Sequence, residues 1–431
     1  MMNLKDGIIK LLEGEVIPAM GCTEPIAVAL ACAKAKELLE GEIESAKVLL
    51  SPNVYKNGLC VGIPNTEEVG LEIAAALGVV GGKSQKVLNV LAHIESYHIE
   101  EAKELLESGK VKIGIKDTNE KVYIGVELKN SKDRVETVIS NKHTHFTFIK
   151  KNENVILEES NKSEVKREPY TFIYHMKIYD IIKEIEKMDF EDVKFMLDGL
   201  NMNKAVAEKG LESELGMKVG RSLAENIKKG ILSDDLLNTA MMFTAAASDA
   251  RMSGINMSVM SSNGSGNNGL TAILPIVAYM KKYNVEEEKL AKAVAISHVV
   301  NSYVKHYIGR LSALCGCAVA ASTGAGVAIG WLMGANHVQI DGIVKNMIAN
   351  LSGMICDGAK VGCALKLSTS ASAAIQSVLL SLNNAIVPTR NGIVGETAEE
   401  TIKNLGVLSE KGMKITDTVI LNIMNHMGRC H

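Results

Sequence analysis

Three stretches of this 431-residue chain contain no Asp, Glu, Lys or Arg: residues 252–280, 311–340 and 367–389. Each is long enough to cross a bilayer. The chain must therefore place them in lipid or bury them on every side in a large core. They are rich in Gly, Ala, Ser, Asn and Thr, hold one Trp between them, and have no aromatic belt; the first contains the polar string SSNGSGNNG at 261–269. Spanning helices normally carry aromatic belts at the interfaces. A transporter is thus the rival reading, and helices enclosed in a soluble core are the expectation. Aromatic residues make up only 4% of the chain, which suits closely packed helices better than a β-sandwich. The length exceeds one typical core and points to two domains.

Periodicity changes from region to region. Residues 1–45 read as helices: an amphipathic piece ending near Glu15, then PIAVALACAKAKELLE at 25–40, with IPAMGCTEP between them. From 46 to 160, AKVLLSPNVY, GLCVGI, KVKIGIKD, EKVYIGVELK, RVETVIS, HFTFIKK and NVILEE show the β-branched alternation of strands. Helical pieces interrupt them at 67–77 and 97–108, the second stopped by Gly109. NKSEVKREP at 161–169 is polar, charged and closed by Pro, as a linker would be. Everything after it reads as helix. The expected fold is α+β in two domains. N-terminal helices (1–45) carry Cys22 and pack on the catalytic domain. A smaller mixed α/β domain (46–160) is inserted after them, and a linker (161–169) leads to a large all-helical catalytic domain (170–431).

Charged residues are 23% of the chain and the net charge is −3. That leaves no basic surplus to neutralise a phosphate backbone, so nucleic acid is not an expected partner. The N-terminus MMNLKDGIIKLLEGEV lacks the apolar run of a secretory signal. Eight cysteines without a regular framework argue for a reducing compartment. A cytoplasmic protein with no membrane partner is expected, and a homo-oligomer is left open.

Four of the eight cysteines, Cys315, Cys317, Cys356 and Cys363, fall between 310 and 370. Their spacing matches neither a zinc site, for want of CxxC pairs, nor a ferredoxin. Thiols scattered among small residues, without a fourth ligand, suit a catalytic metal centre that keeps one position open. On spacing alone, ordinary buried cysteines are the stronger reading. In Gly21-Cys22-Thr23-Glu24-Pro25, Pro25 suits the first helical position and Thr23 or Glu24 the cap. Cys22 would then face the positive end of a helix dipole, a setting that favours thiolate and so a nucleophile or general base; an inert buried cysteine is the bland alternative. The string around Ser262, Asn263, Ser265 and Asn267 precedes a helix and can turn N–H groups toward an anion. No Lys follows it, so it is not a P-loop, and no strand precedes it, so it is not a dinucleotide fingerprint. A carboxylate is the better guess, against a plain flexible loop. His306 and Arg310 are one helical turn apart; they could hold the carboxylate or relay a proton, and a structural histidine is equally consistent.

MGCTEP, SSNGSGNNG, GRLSALCGCAVAASTGAG and KNMIANLSGMICDGAKVGCALK followed by STSASAA occur in this order over nearly the whole chain. In these strings the chain resembles the L-cysteine desulfidase family, relatives of the iron–sulfur L-serine dehydratases. The resemblance implies breakdown of L-cysteine to pyruvate, ammonia and sulfide, without pyridoxal phosphate, on an oxygen-sensitive 4Fe–4S cluster with one open iron. It implies Cys315, Cys356 and Cys363 as cluster ligands, with Cys317 a nearby alternative to Cys315. It makes Cys22 the base, and Ser262, Asn263, Ser265 and Asn267, with His306, the substrate site. Cys32, Cys60 and Cys430 belong to no shared motif. Dehydration of L-serine or L-threonine on the same centre is the nearest rival. A non-enzymatic iron–sulfur sensor is the next, though the basic patch it would want is missing.

Overall fold

The structure, a computed structural model, describes residues 2–118, 120–159 and 168–427. Residues 161–167 of the expected linker, and Cys430, lie outside these. The period-2 alternation between 45 and 158 builds one six-stranded sheet. In spatial order its strands are Val111–Ile115, Ser45–Leu50, Tyr123–Lys129, Arg134–Ser140, Phe146–Lys151 and Asn154–Glu158. The first two pair in parallel and the rest form an antiparallel meander. Val48, Leu50, Ile124, Val126, Val135 and Ile139 are buried in one core with the Thr23–Leu38 and Leu71–Val80 helices.

One expected strand was cut short and another did not form. After Leu50, Pro52 takes the first helical position, where its missing N–H costs nothing, and starts the Pro52–Gly58 helix. GLCVGI makes only an isolated bridge, Gly62 to Val69. The Gly62 backbone lies so close to Ser253 and Gly254 that a Cβ there would sit 2.8 Å from the Gly254 nitrogen. This segment is therefore held against the helical domain instead of joining the sheet.

From Ile178 to Met427 the described chain is mostly helical. Among the described residues one helix, Cys363–Leu382, is long and apolar enough to cross a membrane. It packs on Leu236–Met252, Ser322–Leu332 and His337–Leu351. The other two charge-free runs are broken. A strand and a turn interrupt the first before the Gly266–Lys282 helix, and Gly334 (φ 82°) and the Asn336 cap interrupt the second. The N-terminal unit expected at 1–45 is divided between two cores. Leu4–Glu15 buries Ile8, Leu11 and Leu12 in the helical core, whereas Thr23–Leu38 belongs to the core of the sheet.

Two contacts stand out among those that fix the domains to each other. The first is a short antiparallel ladder, Pro18–Met20 with Ser258–Met260, registered Pro18 to Met260. It is extended where the Ser261 and Asn263 N–H groups donate to the carbonyls of Ile17 and Glu15, both at 2.9 Å. The second is Lys56, whose side chain is 1% exposed. Its Nζ donates to Asp417 Oδ1 on the Thr416–Met427 helix (2.6 Å) and to the Cys356 carbonyl (2.8 Å). Breaking a buried pair from one side strands the remaining charge. Asp417→Ala is accordingly expected to lower the free energy of unfolding by about 3 kcal/mol, read from urea titration of the full-length protein.

Candidate active site

One cavity of about 270 Å³ opens where the N-terminal segment, the sheet domain and the helical domain meet. Cys315, Cys317, Cys356 and Cys363 all line it. Their convergence has a backbone cause. Leu314 and Ile355 form an antiparallel bridge, in which Cys315 N–H donates to the Met354 carbonyl (2.9 Å) and Cys356 N–H to the Ala313 carbonyl (2.7 Å). Cys317 opens the wide π-helical turn Cys317–Ala321, and Cys363 is the first residue of Cys363–Leu382. Gly358 has φ 94° and leaves no room for a side chain against the Lys56 carbonyl, so the glycine in ICDG is required. Interaction with neighbouring Cys317 pulls the Cys315 thiol down, and burial pushes Cys363 up to about 11. Lysines back this wall. Lys56 donates to the Cys356 carbonyl, Lys366 to the Ile355 carbonyl (2.9 Å) and Lys305 to the Arg310 carbonyl. Burial pushes Lys305 down to about 8.

Among the described residues no three His, Cys, Asp or Glu side chains form a group that could hold a single metal ion. Four thiols instead border a shared space with cations behind them. A polynuclear iron–sulfur cluster is a body of several atoms held by cysteine thiolates around it, and this donor set fits it better than a lone zinc ion.

The opposite wall is polar. Asn263 (φ 52°) and Gly264 (φ 76°) are both left-handed. Reciprocal 3.1 Å bonds between Ser262 and Ser265 close them into a tight turn of the Asn-Gly kind. Ser265 then caps Gly266–Lys282 by accepting from Asn268 N–H (3.4 Å). Asn263, Ser265 and Asn267 line the cavity. Ser262 does not. Its Oγ is buried behind the turn, 2.9 Å from His298 Nδ1, and accepts from Asn301 (2.8 Å) and Asn263 (3.1 Å). Burial pushes His298 down to about 3, so this histidine is a neutral support. Arg251 is the cation that the sequence reading missed. It lines the cavity, donating to Asn267 Oδ1 (3.1 Å) and the Gly21 carbonyl (2.5 Å). Gly266 is needed beside it, because any Cβ there would collide with the guanidinium.

His306 stands apart from these groups. The long helix ends at Ile308 and Gly309 (φ 88°) turns the chain, so His306 and Arg310 do not share a helical face. His306 stacks on Tyr174 with ring centres 4.3 Å apart and is not on the cavity wall. Arg310 is on the wall and pairs with Glu15.

Cys22 is on the wall too, but in a different state from the one expected. The helix begins at Thr23 with Cys22 as its N-cap. Pro25 is therefore third, still among the positions whose N–H has no partner within the helix. Cys22 Sγ donates to Glu24 Oε2 at 3.2 Å. Burial and the Glu24 charge raise the thiol's pKa and outweigh the opposing effect of Arg251, so Cys22 rests as a thiol and not as the thiolate a bare helix dipole would favour. Burial also works against charge on Glu24. Even so its pKa is lowered, by His143 and by hydrogen bonds from Cys22 and from Asn57 (3.0 Å). Glu24, Asn57 and His143 all border the cavity. Alkylation of Cys22 by iodoacetamide should thus be slow at neutral pH and rise as the solution is made alkaline. Glu24→Gln removes a charge that raises the thiol's pKa and should speed alkylation about tenfold at fixed pH, measured on the Cys22 peptide by mass spectrometry.

Residues 85–422 match the family model described as serine dehydratase alpha chain. A UPF0597 protein of Alkaliphilus oremlandii is 60% identical over 99% of both chains. One from Clostridioides difficile is 52% identical over 98% of this chain and 100% of its own. One from Clostridium tetani is 42% identical over the full length of both. Membership in such a family points to lyase chemistry of the dehydratase type with an iron–sulfur centre. With most of its length matched by the family model and full-length relatives at these identities, the chain belongs to the serine dehydratase alpha-chain family.

Proposed function

We propose that this protein is an L-cysteine desulfidase, a lyase that eliminates sulfide from L-cysteine to leave pyruvate and ammonia. The observation that carries the reading is the meeting, on one cavity, of four thiols, an Asn- and Ser-lined helix N-terminus with Arg251, and the hydrogen-bonded pair Cys22–Glu24. Cys315, Cys356 and Cys363 would hold a 4Fe–4S cluster, with Cys317, on the same wall, as the nearest alternative to Cys315. When bound, the cluster supplies a Lewis acid that makes the β-substituent a better leaving group.

The remaining work falls to the chain. Ser265, Asn267 and Arg251 receive the α-carboxylate, and by neutralising its charge they make the Cα proton easier to remove. Cys22 takes that proton while its own S–H passes to Glu24. A thiol that rests protonated can therefore serve as the base, because its proton has a carboxylate to go to. Loss of the β-substituent gives 2-aminoacrylate, which tautomerises and hydrolyses to pyruvate and ammonia. Dehydration of L-serine is the second reading, favoured by the serine dehydratase description of the matched family.

Cys356→Ala and Cys363→Ala are expected to lose visible absorbance and activity together. Cys22→Ala should keep the absorbance and lose turnover by about 100-fold or more. Sulfide and pyruvate assays with L-cysteine and L-serine as separate substrates read both the reaction and the preference. A Cys22→Ala protein that turns over normally would remove Cys22 from the chemistry.

A further inference from the structure

The sheet domain reaches the cavity at one hairpin. Between Arg134–Ser140 and Phe146–Lys151 the chain turns through Asn141 (φ 68°) and presents His143 to the wall. His143 is the one histidine on that wall among the described residues. Its side chain is 14% exposed, and its Nε2, buried and without a hydrogen-bond partner, lies 3.9 Å from Glu24 Oε1. The other oxygen of Glu24 accepts from Cys22 Sγ. Glu24 thus stands between the thiol and the imidazole. A buried ring nitrogen facing a carboxylate with nothing to bond calls for a functional explanation. A proton arriving on Glu24 would give it a partner.

We propose that His143 is a positioning and proton-transfer residue of the elimination, taking from the Glu24 carboxyl the proton that Cys22 delivers there. The idea rests on the lyase reading above. The bonds balance without a further reactant. The Cα–H breaks as a new S–H forms on Cys22, and the old S–H breaks as an O–H forms on Glu24. Rotation of the Glu24 carboxyl about its Cγ–Cδ bond turns the protonated oxygen from Cys22 toward His143, and that O–H breaks as an N–H forms on His143 Nε2. Glu24 returns to carboxylate, and the imidazolium releases its proton to solvent through the cavity mouth. At 3.9 Å the pair is longer than a hydrogen bond, as catalytic pairs commonly are before substrate tightens them. Burial keeps His143 neutral at rest, the form able to accept a proton; Glu24 favours its protonation and Arg310, from the segment after the long helix, opposes it. Neighbouring Lys142 is paired with Glu168 at 2.7 Å, and Cys22 is an uncharged thiol.

The test uses the full-length protein purified anaerobically with its iron. His143→Gln is compared with wild type, with His143→Asn as a second variant in case glutamine disturbs the hairpin. The expected result is a fall in kcat of about 100-fold with KM and iron content held within about twofold. The acid limb of the wild-type kcat/KM profile should vanish in the variants. Independently of turnover, NMR titration of labelled histidine should show the His143 pKa falling when Glu24→Gln removes the carboxylate. Unchanged kcat in both His143 variants, or a His143 titration indifferent to Glu24→Gln, would overturn the proposal. A wild-type protein that turns over neither L-cysteine nor L-serine would instead overturn the lyase reading, and the titration would still read the Glu24–His143 pairing.

Discussion

The cavity depends on a ladder of three residues a side. Pairing Pro18–Met20 with Ser258–Met260 ties the first turn of the chain to a segment some 240 residues later, and both polar walls follow from it. Beyond one end of the ladder, Arg251 grips the Gly21 carbonyl and so fixes the approach to Cys22. Beyond the other, Asn263 N–H is held by the Glu15 carbonyl. Thr23 Oγ1 then bonds the Gly264 carbonyl at 3.1 Å, closing the loop against the helix that Cys22 caps. Two helix N-termini, Thr23–Leu38 and Gly266–Lys282, are thereby brought to one space. Their unpaired N–H groups and positive dipole ends make that space suited to an anion.

The sheet domain completes the site and is more than an appendage. Its short Pro52–Gly58 helix carries Lys56, which holds the Cys356 carbonyl, and Asn57, which bonds Glu24. One helical turn therefore touches both the thiol wall and the proton-accepting wall. Asp417, from the C-terminal helix, neutralises Lys56, so the position of the Cys356 segment is set by three parts of the chain at once. Such a site is rigid where ligands must be fixed in advance, in keeping with electrostatic preorganisation as the main source of rate.

Much of this was legible in the sequence. The polar string at 261–269 had to satisfy its groups at a helix start, and it does so. The small-residue runs around Cys315 and Cys363 became buried helices, as their composition implied. What failed did so for local reasons. Gly309 ended the helix that spacing carried through to Arg310, which left His306 on a tyrosine. Glu24 read as a cap because nothing in GCTEP says that its carboxylate turns back to the thiol, and that same carboxylate reverses the expected effect of the helix dipole on Cys22. Arg251, at the end of a helix, and His143, in a polar hairpin, lie outside every motif that the sequence analysis singles out. Only the three-dimensional meeting of segments far apart in sequence gives them a role. The ladder itself was hidden because three residues are too few to show alternation.

Iron and acid-labile sulfide should be measured on anaerobically purified protein, with sulfide release from L-cysteine followed on the same sample. About four irons per chain, and loss of iron and activity together on exposure to air, is the expected result. Protein that carries no iron and still releases sulfide would contradict the cluster-bearing lyase and return the chemistry to the thiols alone.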